Sequence, residues 1–261
     1  MRRQRWTPRA GLAVAGALVG FYLTYVAYRN LKSVIPLLRP GDLFDRELAE
    51  ADRLLFFGSD PATLLHSLLG TQISTQVLSS VYVAFVFIVP VMLAVALVFS
   101  PDLRGGLFFA TALSVNWIIG AATYLMIPAR GPIYYVPGDF AALPDSHASH
   151  LQGLLLEQRR EFLADPTAPG AAQSIAAFAS LHCSILITAA LAAHILGLGR
   201  SLQIGLWVLA GVSVVATVHL GWHYVVDDIA GFAIALAALA IARLLTGFRR
   251  QPAAPEAVPA G

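Results

Sequence analysis

Six long apolar stretches constrain what this chain can fold into. They cover about residues 10–28, 77–99, 105–127, 174–198, 202–220 and 222–246. Each is close to or above the roughly 20 residues with which a helix crosses the hydrocarbon core of a bilayer. Because the bilayer core offers the backbone no hydrogen-bond partners, such stretches are expected to form helices. The pattern predicts an all-α polytopic membrane protein with six transmembrane helices in one bundle.

Composition supports this prediction and excludes other classes of protein. Of the 261 residues, 57% are hydrophobic and only 12% are charged, whereas a soluble domain carries about 25% charged residues. The apolar content excludes a disordered chain, and a single cysteine excludes an intramolecular disulfide and a cysteine-based zinc site. The formal net charge of +2 is not gathered into a basic run with aromatic residues, so no nucleic-acid partner is expected.

The basic residues predict how the bundle is oriented. With the N-terminus in the cytoplasm and six spans, the cytoplasmic segments carry nine basic and two acidic residues, a net charge of +7. The external segments carry eight basic and thirteen acidic residues, a net charge of −5. Cytoplasmic loops of membrane proteins are enriched in Lys and Arg. We therefore predict an integral plasma-membrane protein with both termini in the cytoplasm.

A single membrane domain is predicted for residues 1–250, followed by a disordered cytoplasmic tail, rich in Pro and Ala, at residues 251–261. Two long polar segments, at about 30–76 and 130–173, fall on the external side. The first has apolar residues at helical spacing, which predicts an amphipathic helix lying on the membrane surface. These apolar residues are Leu48, Ala51, Leu54 and Leu55. The second contains Pro-Gly turns and a short helix near 151–163, and so long a loop is typically a lid or a binding element.

Ionisable and polar residues gather at the predicted external ends of the helices. Ionisable groups in membrane spans cost free energy, so each of them is a candidate functional residue. They form three groups, at the end of the third stretch, at the start of the fourth, and at the junction of the fifth and sixth. In that order the groups are Arg130, then Ser180 and His182, then His219, His223 and Asp227. Their shared side of the membrane predicts one external site.

The residue types in these groups suit phosphoryl transfer. His223 and Asp227 are four residues apart, so on a helix they share a face and can form a hydrogen bond. The carboxylate would fix the imidazole tautomer and free its other nitrogen for attack. His182, from a different helix, would oppose it as a general acid. Arg130 offers a bidentate partner for phosphate, and Ser180 adds a hydroxyl beside free backbone N–H groups. This set predicts metal-free transfer through a phosphohistidine.

Two other functions remain open at this point. His219, His223 and Asp227 have the spacing i, i+4, i+8, which would place them on one face of a helix that continued through Gly221. Such a face could bind a metal ion, and the protein would then be a metal-dependent membrane hydrolase. The polar cluster could instead bind lipid headgroups without catalysis, as in a transporter or a structural membrane protein.

At these residues the sequence resembles the type 2 phosphatidic acid phosphatase superfamily, which includes the vanadium haloperoxidases. The family pattern is Lys-x6-Arg-Pro, then Pro-Ser-Gly-His, then Ser-Arg-x5-His-x3-Asp, on a six-helix core. Arg130 matches the first motif, Ser180 and His182 the second, and His223 and Asp227 the third. The resemblance implies a lipid phosphatase or phosphotransferase that acts on a lipid phosphate or phospholipid, with no metal and no cofactor.

The resemblance also implies a role for each residue. His223 would attack phosphorus, and Asp227 would orient the His223 imidazole and stabilise its charge. His182 would protonate the leaving alcohol. The substrate phosphate would be held by Arg130, Ser180 and His219.

The sequence departs from the family motifs at several positions, and the Pro of the first motif is displaced by one residue, to Pro132. Thr123 stands at the position of the first-motif Lys and Thr217 at that of the third-motif Arg. Ala179 and Leu181 replace the Pro and the Gly of the second motif. The Ser-Leu-His and His-Tyr-x-x-Asp forms resemble the branch that contains inositol phosphorylceramide synthases, which implies transfer of a phospho-headgroup between lipids.

Overall fold

The computed structural model describes residues 7–99 and 102–249, in which all of the α and 3₁₀ elements belong to one helical assembly. The predicted tail and the basic residues Arg2, Arg3 and Arg5 lie outside the described residues. In chain order the helices are α1 (Pro8–Leu38), α2 (Asp45–Leu55), α3 (Pro61–Leu69), α4 (Ile73–Phe99), α5 (Leu103–Met126), α6 (Pro132–Tyr135), α7 (His147–Ala164), α8 (Leu181–Ile195), α9 (Arg200–His219) and α10 (Val225–Thr246).

Five of the six predicted spans are confirmed as helices long and apolar enough to cross a membrane, namely α1, α4, α5, α9 and α10. The remaining predicted span, the fourth stretch at 174–198, corresponds to α8, which is apolar but has only 15 residues. At 1.5 Å per residue it is about 22 Å long, less than the roughly 30 Å of a bilayer core. The helix begins seven residues later than predicted because Ser180 is its N-cap: the Ser180 hydroxyl accepts a hydrogen bond from the Cys183 N–H.

The first helix is longer than predicted. The apolar stretch ended near residue 28, whereas α1 continues to Leu38 and takes in the first residues of the predicted external loop. Residues 29–38 contain no glycine, and the helix ends just before Pro40-Gly41, which interrupt helices. The extension makes Arg29 and Lys32 helical residues near the C-terminal end of α1.

Helix α5 is the centre of the bundle. It is buried along most of its length and packs against α1, α4, α8 and α10. The Asn116 side-chain amide on α5 donates hydrogen bonds to the Ala112 carbonyl and to the Thr188 hydroxyl on α8, and its oxygen accepts one from Ser184. Hydrogen bonds of this kind satisfy polar groups that lipid cannot satisfy. They hold α8, and hence His182, in a defined position against α5.

Helices α9 and α10 are separated by a loop at the predicted boundary, Gly221. This glycine has φ +73, in the left-handed region, and a Cβ would lie 2.7 Å from the Phe140 ring. His223 therefore lies in the loop, and α10 begins at Val225. The continuous helical face on which the metal-dependent alternative was based is not formed.

The two polar segments fold onto one end of the bundle. Helix α2 buries a stripe of four residues against the protein, and these are Asp45, Leu48, Ala49 and Asp52. The predicted apolar stripe differs, because Leu54 and Leu55 are exposed. The Asp52 carboxylate accepts hydrogen bonds from the Val225 and Val226 N–H groups, which caps the N-terminus of α10. In the second segment the predicted short helix is present as α7, which begins slightly earlier.

Replacing Gly231 with alanine is expected to destabilise the junction of α8 and α10. The added Cβ would lie 2.4 Å from the backbone carbonyl oxygen of Ser180, so the two helices would have to separate. Overpacking of this kind costs about 1–3 kcal/mol. Thermal unfolding of the detergent-solubilised protein measures the loss. Gly211→Ala on α9, where nothing lies within 4 Å, is the matched control, and an equal Tm for the two variants would contradict the close contact.

Candidate active site

A cavity of about 560 Å³ lies between α1, α4 and α5, with α7 and the N-terminal end of α8 completing its wall. Most of the lining is aromatic and aliphatic. The polar residues that line it are Arg29, Lys32, Arg130, Gln158, Ser174, His182 and His223. The apolar lining runs along α4 from Tyr82 to Pro90, which is about 12 Å of helix. The cavity therefore joins a cluster of cations and imidazoles to an apolar groove.

His223 and Asp227 lie close together, but His223 is in the loop before α10 and not on the predicted helical face, and the predicted hydrogen bond between the two side chains is not formed. The His223 Nδ1 atom lies 3.4 Å from the Asp227 Oδ2 atom, and both side chains are buried. Asp227 Oδ2 also accepts a hydrogen bond of 2.9 Å from the Tyr224 N–H, so the capping of α10 fixes the carboxylate. With Nδ1 facing the carboxylate, Nε2 is the nitrogen available for chemistry. Burial lowers the pKa of His223 to about 4, and the positive charge of Lys32 acts in the same direction, so the imidazole is neutral at physiological pH.

His182 faces His223 from a different helix. The centroids of the two rings are 6.0 Å apart. The His182 ring is stacked on Tyr82 at 4.4 Å, and Tyr82 is in turn stacked on Trp222 at 4.9 Å. Since Trp222 directly precedes His223, this stack holds the two imidazoles relative to each other. The arrangement can place a general acid opposite a nucleophile.

Arg130 lines the cavity and is held by Asp45, which was not among the predicted site residues. The Asp45 carboxylate on α2 accepts hydrogen bonds from the Arg130 N–H at 3.0 Å and the Gly131 N–H at 2.8 Å. It also accepts one from the Tyr224 hydroxyl at 3.1 Å and lies 3.9 Å from Arg130 Nε. Asp45 thus ties the loop after α5 to the start of α10, and its charge partly balances the guanidinium.

Ser180 and His219 occupy different positions from the other predicted residues. Ser180 is fully buried as the N-cap of α8, and its N–H donates to the Asp227 carbonyl. His219 is also fully buried, with Nε2 3.0 Å from the Thr75 hydroxyl and its ring against His66. Neither is among the residues that line the cavity. The structure therefore brings Arg130, His182 and His223 together in the cavity, with Asp227 behind His223.

The two threonines at motif positions make local hydrogen bonds. Thr123 donates to the Gly120 carbonyl and accepts from the Ala179 N–H. Thr217 donates to Asp228, whose other oxygen accepts from the Cys183 thiol. The positions that carry a Lys and an Arg in the family motifs therefore bring no cation to this cavity. Within residues 7–99 and 102–249, no group of three His, Cys, Asp or Glu side chains could hold a metal ion.

Several residues that shape the site were not predicted from the sequence, namely Asp45, Asp52, Tyr82 and Lys32. A signal for two of them was present: Asp45 and Asp52 share a helical stripe with Leu48, at positions i, i+3 and i+7. Acidic residues on the apolar stripe of an amphipathic helix indicate partners within the protein. Tyr82 carried no such signal within a long apolar stretch.

Replacing Asp45 with asparagine is expected to lower kcat/KM about tenfold. The asparagine would offer one acceptor oxygen and one NH2 group to donors that now bond a carboxylate, and so would leave a buried donor unpaired. Steady-state kinetics on a lipid phosphate measures the effect. Glu50→Gln, an exposed change on the same helix, should leave the rate unchanged. Equal kinetics for the two variants would contradict a role for Asp45 in holding Arg130.

The fold and the cavity define a helical membrane protein in which two histidines line a cavity between the helices. Residues 46–241 match the family model of the PAP2 superfamily, and the chain belongs to this superfamily. Membership indicates a phosphatase-type enzyme of the membrane. No curated protein and no solved structure significantly matches the chain.

Proposed function

We propose that the protein is a metal-independent lipid phosphatase or phosphotransferase that works through a phosphohistidine at His223. The observation that carries the proposal is the pair of imidazoles, His182 and His223, which face each other at 6.0 Å across a cavity lined by Arg130. Asp227, at 3.4 Å from His223 Nδ1, completes the set. The apolar groove along α4 has the character needed to accept a lipid chain.

In the first step, the lone pair of His223 Nε2 attacks phosphorus and the bond from phosphorus to the lipid oxygen breaks. His182 gives its proton to the leaving alcohol, and Asp227 stabilises the positive charge that develops on His223. Arg130 binds the phosphoryl oxygens, whose charge is spread in the transition state.

In the second step, water or an acceptor hydroxyl attacks the phosphohistidine. Neutral His182 takes the proton of the attacking group, the N–P bond breaks, and His223 returns to its neutral form. With water the product is inorganic phosphate, and with a lipid hydroxyl the product is a new phospholipid. The resemblance to the inositol phosphorylceramide synthase branch favours including acceptor lipids in any assay.

We place the active site on the external side of the plasma membrane, with both termini in the cytoplasm. The support is the distribution of basic residues between the loops, which favours a positive cytoplasmic side. Lipid phosphates of the outer leaflet would then reach the cavity.

The test is incubation of the purified protein with a panel of lipid phosphates and phospholipids, with and without acceptor lipids. Mass spectrometry follows free phosphate and headgroup-exchanged lipids. We expect one or both products in the presence of EDTA as well as in its absence. Loss of activity with EDTA, restored by a divalent metal, would favour the metal-dependent hydrolase. Binding of lipid with no product would favour the non-catalytic alternative.

A further inference from the structure

Lys32 is the only lysine in the chain, and it lies on α1, outside the residues that match the family model. Its side chain lines the same cavity as His182, His223 and Arg130. An ammonium group in apolar surroundings costs free energy unless an anion or hydrogen-bond acceptors compensate it. Its presence at this position therefore requires an explanation.

The surroundings of Lys32 compensate its charge only in part. Nζ donates a hydrogen bond of 3.3 Å to the Tyr28 hydroxyl and lies 4.9 Å from the centre of the Tyr124 ring. In the part of the chain that the structure describes, Lys32 forms no ion pair with an Asp or Glu. An ammonium group has three donors, so donors remain for a ligand. Arg29, which also lines the cavity, adds a second positive charge from the same helix.

The backbone at Lys32 is tied to the segment that leads to His182. The buried side-chain amide of Gln173 donates a hydrogen bond of 2.6 Å to the Lys32 carbonyl, and the backbone N–H of Gln173 donates to the Ser33 hydroxyl at 3.0 Å. The Gln173 side-chain oxygen accepts from the Ile175 N–H at 2.8 Å, in the segment before α8. These bonds fix the C-terminal part of α1 to the segment that precedes α8, and so keep Lys32 at the cavity that His182 also lines.

The charge of the cavity also calls for an anion. Arg29, Lys32 and Arg130 line it, whereas no Asp or Glu is among the described residues that form its wall. A phosphate monoester carries close to two negative charges near pH 7, since its second pKa is about 6. Arg130 alone would balance half of that charge, because Thr123 and Thr217 make local hydrogen bonds and bring no cation.

We propose that Lys32 binds the phosphoryl group of the substrate, so that α1 forms part of the active site. The inference rests on the proposed function, because it places the phosphate of the substrate in this cavity. Lys32 would approach the phosphoryl oxygens from α1, and Arg130 would approach them from the loop after α5. The ligand class is a phosphate monoester dianion on an apolar chain.

The test compares Lys32→Met, Lys32→Arg and Arg9→Met in the full-length protein in detergent. Arg9→Met is the matched control, because it removes an exposed charge from the same helix. Calorimetry measures binding of inorganic phosphate, and steady-state kinetics measures KM and kcat for phosphatidic acid in mixed micelles. We expect Lys32→Met to weaken phosphate binding and to raise KM about 10- to 100-fold, the loss typical of a charge-assisted hydrogen bond. The phosphate affinity and KM of Lys32→Arg should stay within about threefold of the wild-type values. Arg9→Met should have the wild-type values.

Wild-type phosphate affinity in Lys32→Met would overturn the inference, and so would the absence of phosphate binding by the wild type. If Lys32→Met aggregates in size-exclusion chromatography, the neutral, polar Lys32→Gln is judged by the same criterion. Phosphate binding requires no turnover, which separates the two proposals. If turnover is lost in His223→Ala but phosphate binding is unchanged in Lys32→Met, only the inference about Lys32 is contradicted. If phosphate binding is lost in Lys32→Met but His223→Ala is fully active, only the proposed function is contradicted.

Discussion

Replacing His223 with alanine is expected to abolish turnover while the helical bundle stays folded. Removal of a nucleophile costs about 10⁴-fold or more in kcat, since the remaining groups can only bind and polarise the substrate. The change leaves the loop intact, because the His223 N–H bonds the Thr217 carbonyl through the backbone. Phosphate release from a lipid phosphate measures turnover, and the elution volume in size-exclusion chromatography shows whether the variant is folded.

A labelled substrate sharpens this prediction. With a ³²P-labelled lipid phosphate and rapid alkaline quenching, wild-type protein should carry an acid-labile, base-stable label, and His223→Ala should carry none. His150→Ala, which removes an exposed imidazole on α7, is the matched control and should behave as the wild type. Full activity in His223→Ala, or a label that persists there, would remove His223 from the mechanism.

Replacing His182 with alanine is expected to slow turnover of lipid substrates about 10²- to 10⁴-fold, the range for loss of a general acid or base. The leaving group of a lipid phosphate is an alkoxide that needs a proton, so breaking the P–O bond should suffer most. The leaving group of an aryl phosphate such as p-nitrophenyl phosphate is p-nitrophenolate, which departs without a proton, so formation of the phosphohistidine from it should slow far less. Its hydrolysis should still be slow, because the base for the second step is missing.

The measurement is single-turnover kinetics of His182→Ala with both substrates, together with the amount of phosphohistidine at steady state. We expect a large difference between the substrates in the first step and accumulation of label on His223 with the aryl phosphate. His194→Ala, at the far end of the same helix, is the control, since its imidazole bonds Trp207 and not the cavity. An equal loss with both substrates would assign His182 to positioning.

The membrane-spanning architecture could be predicted from the sequence because lipid forces long apolar segments into helices. Five spans follow from that rule, and Gly221 with its positive φ interrupts the helix at the predicted junction of the fifth and sixth stretches. The predicted ends of two helices were wrong, because a local hydrogen bond or a polar extension of the helix set the actual end. Ser180 begins α8 late, and α1 continues to Leu38 although its last turns are not uniformly apolar. Hydropathy measures which residues prefer lipid, and a helix does not have to end where that preference ends.

The candidate site could be predicted in part because the proposed chemistry requires residue types that are rare in this chain. Few side chains in this chain are ionisable, so Arg130, His182, His223 and Asp227 were conspicuous in sequence. The structure brings the first three to one cavity and places Asp227 behind His223. Ser180 and His219 were chosen for their positions near the ends of the fourth and fifth stretches, but they lie outside the cavity, because sequence position near a helix end does not say which way a side chain points.

A helical membrane protein of the PAP2 superfamily could be recognised from the amino-acid sequence alone, and so could the gathering of candidate site residues near the helix ends. Hydropathy and short motifs are local properties, so they can be read from neighbouring residues. The packing of the helices was needed to show that Asp45, from a separate helix, holds Arg130, and that Lys32 shares a cavity with both imidazoles. Those contacts join residues 85 or more positions apart, and they depend on how helices pack, which no local pattern encodes.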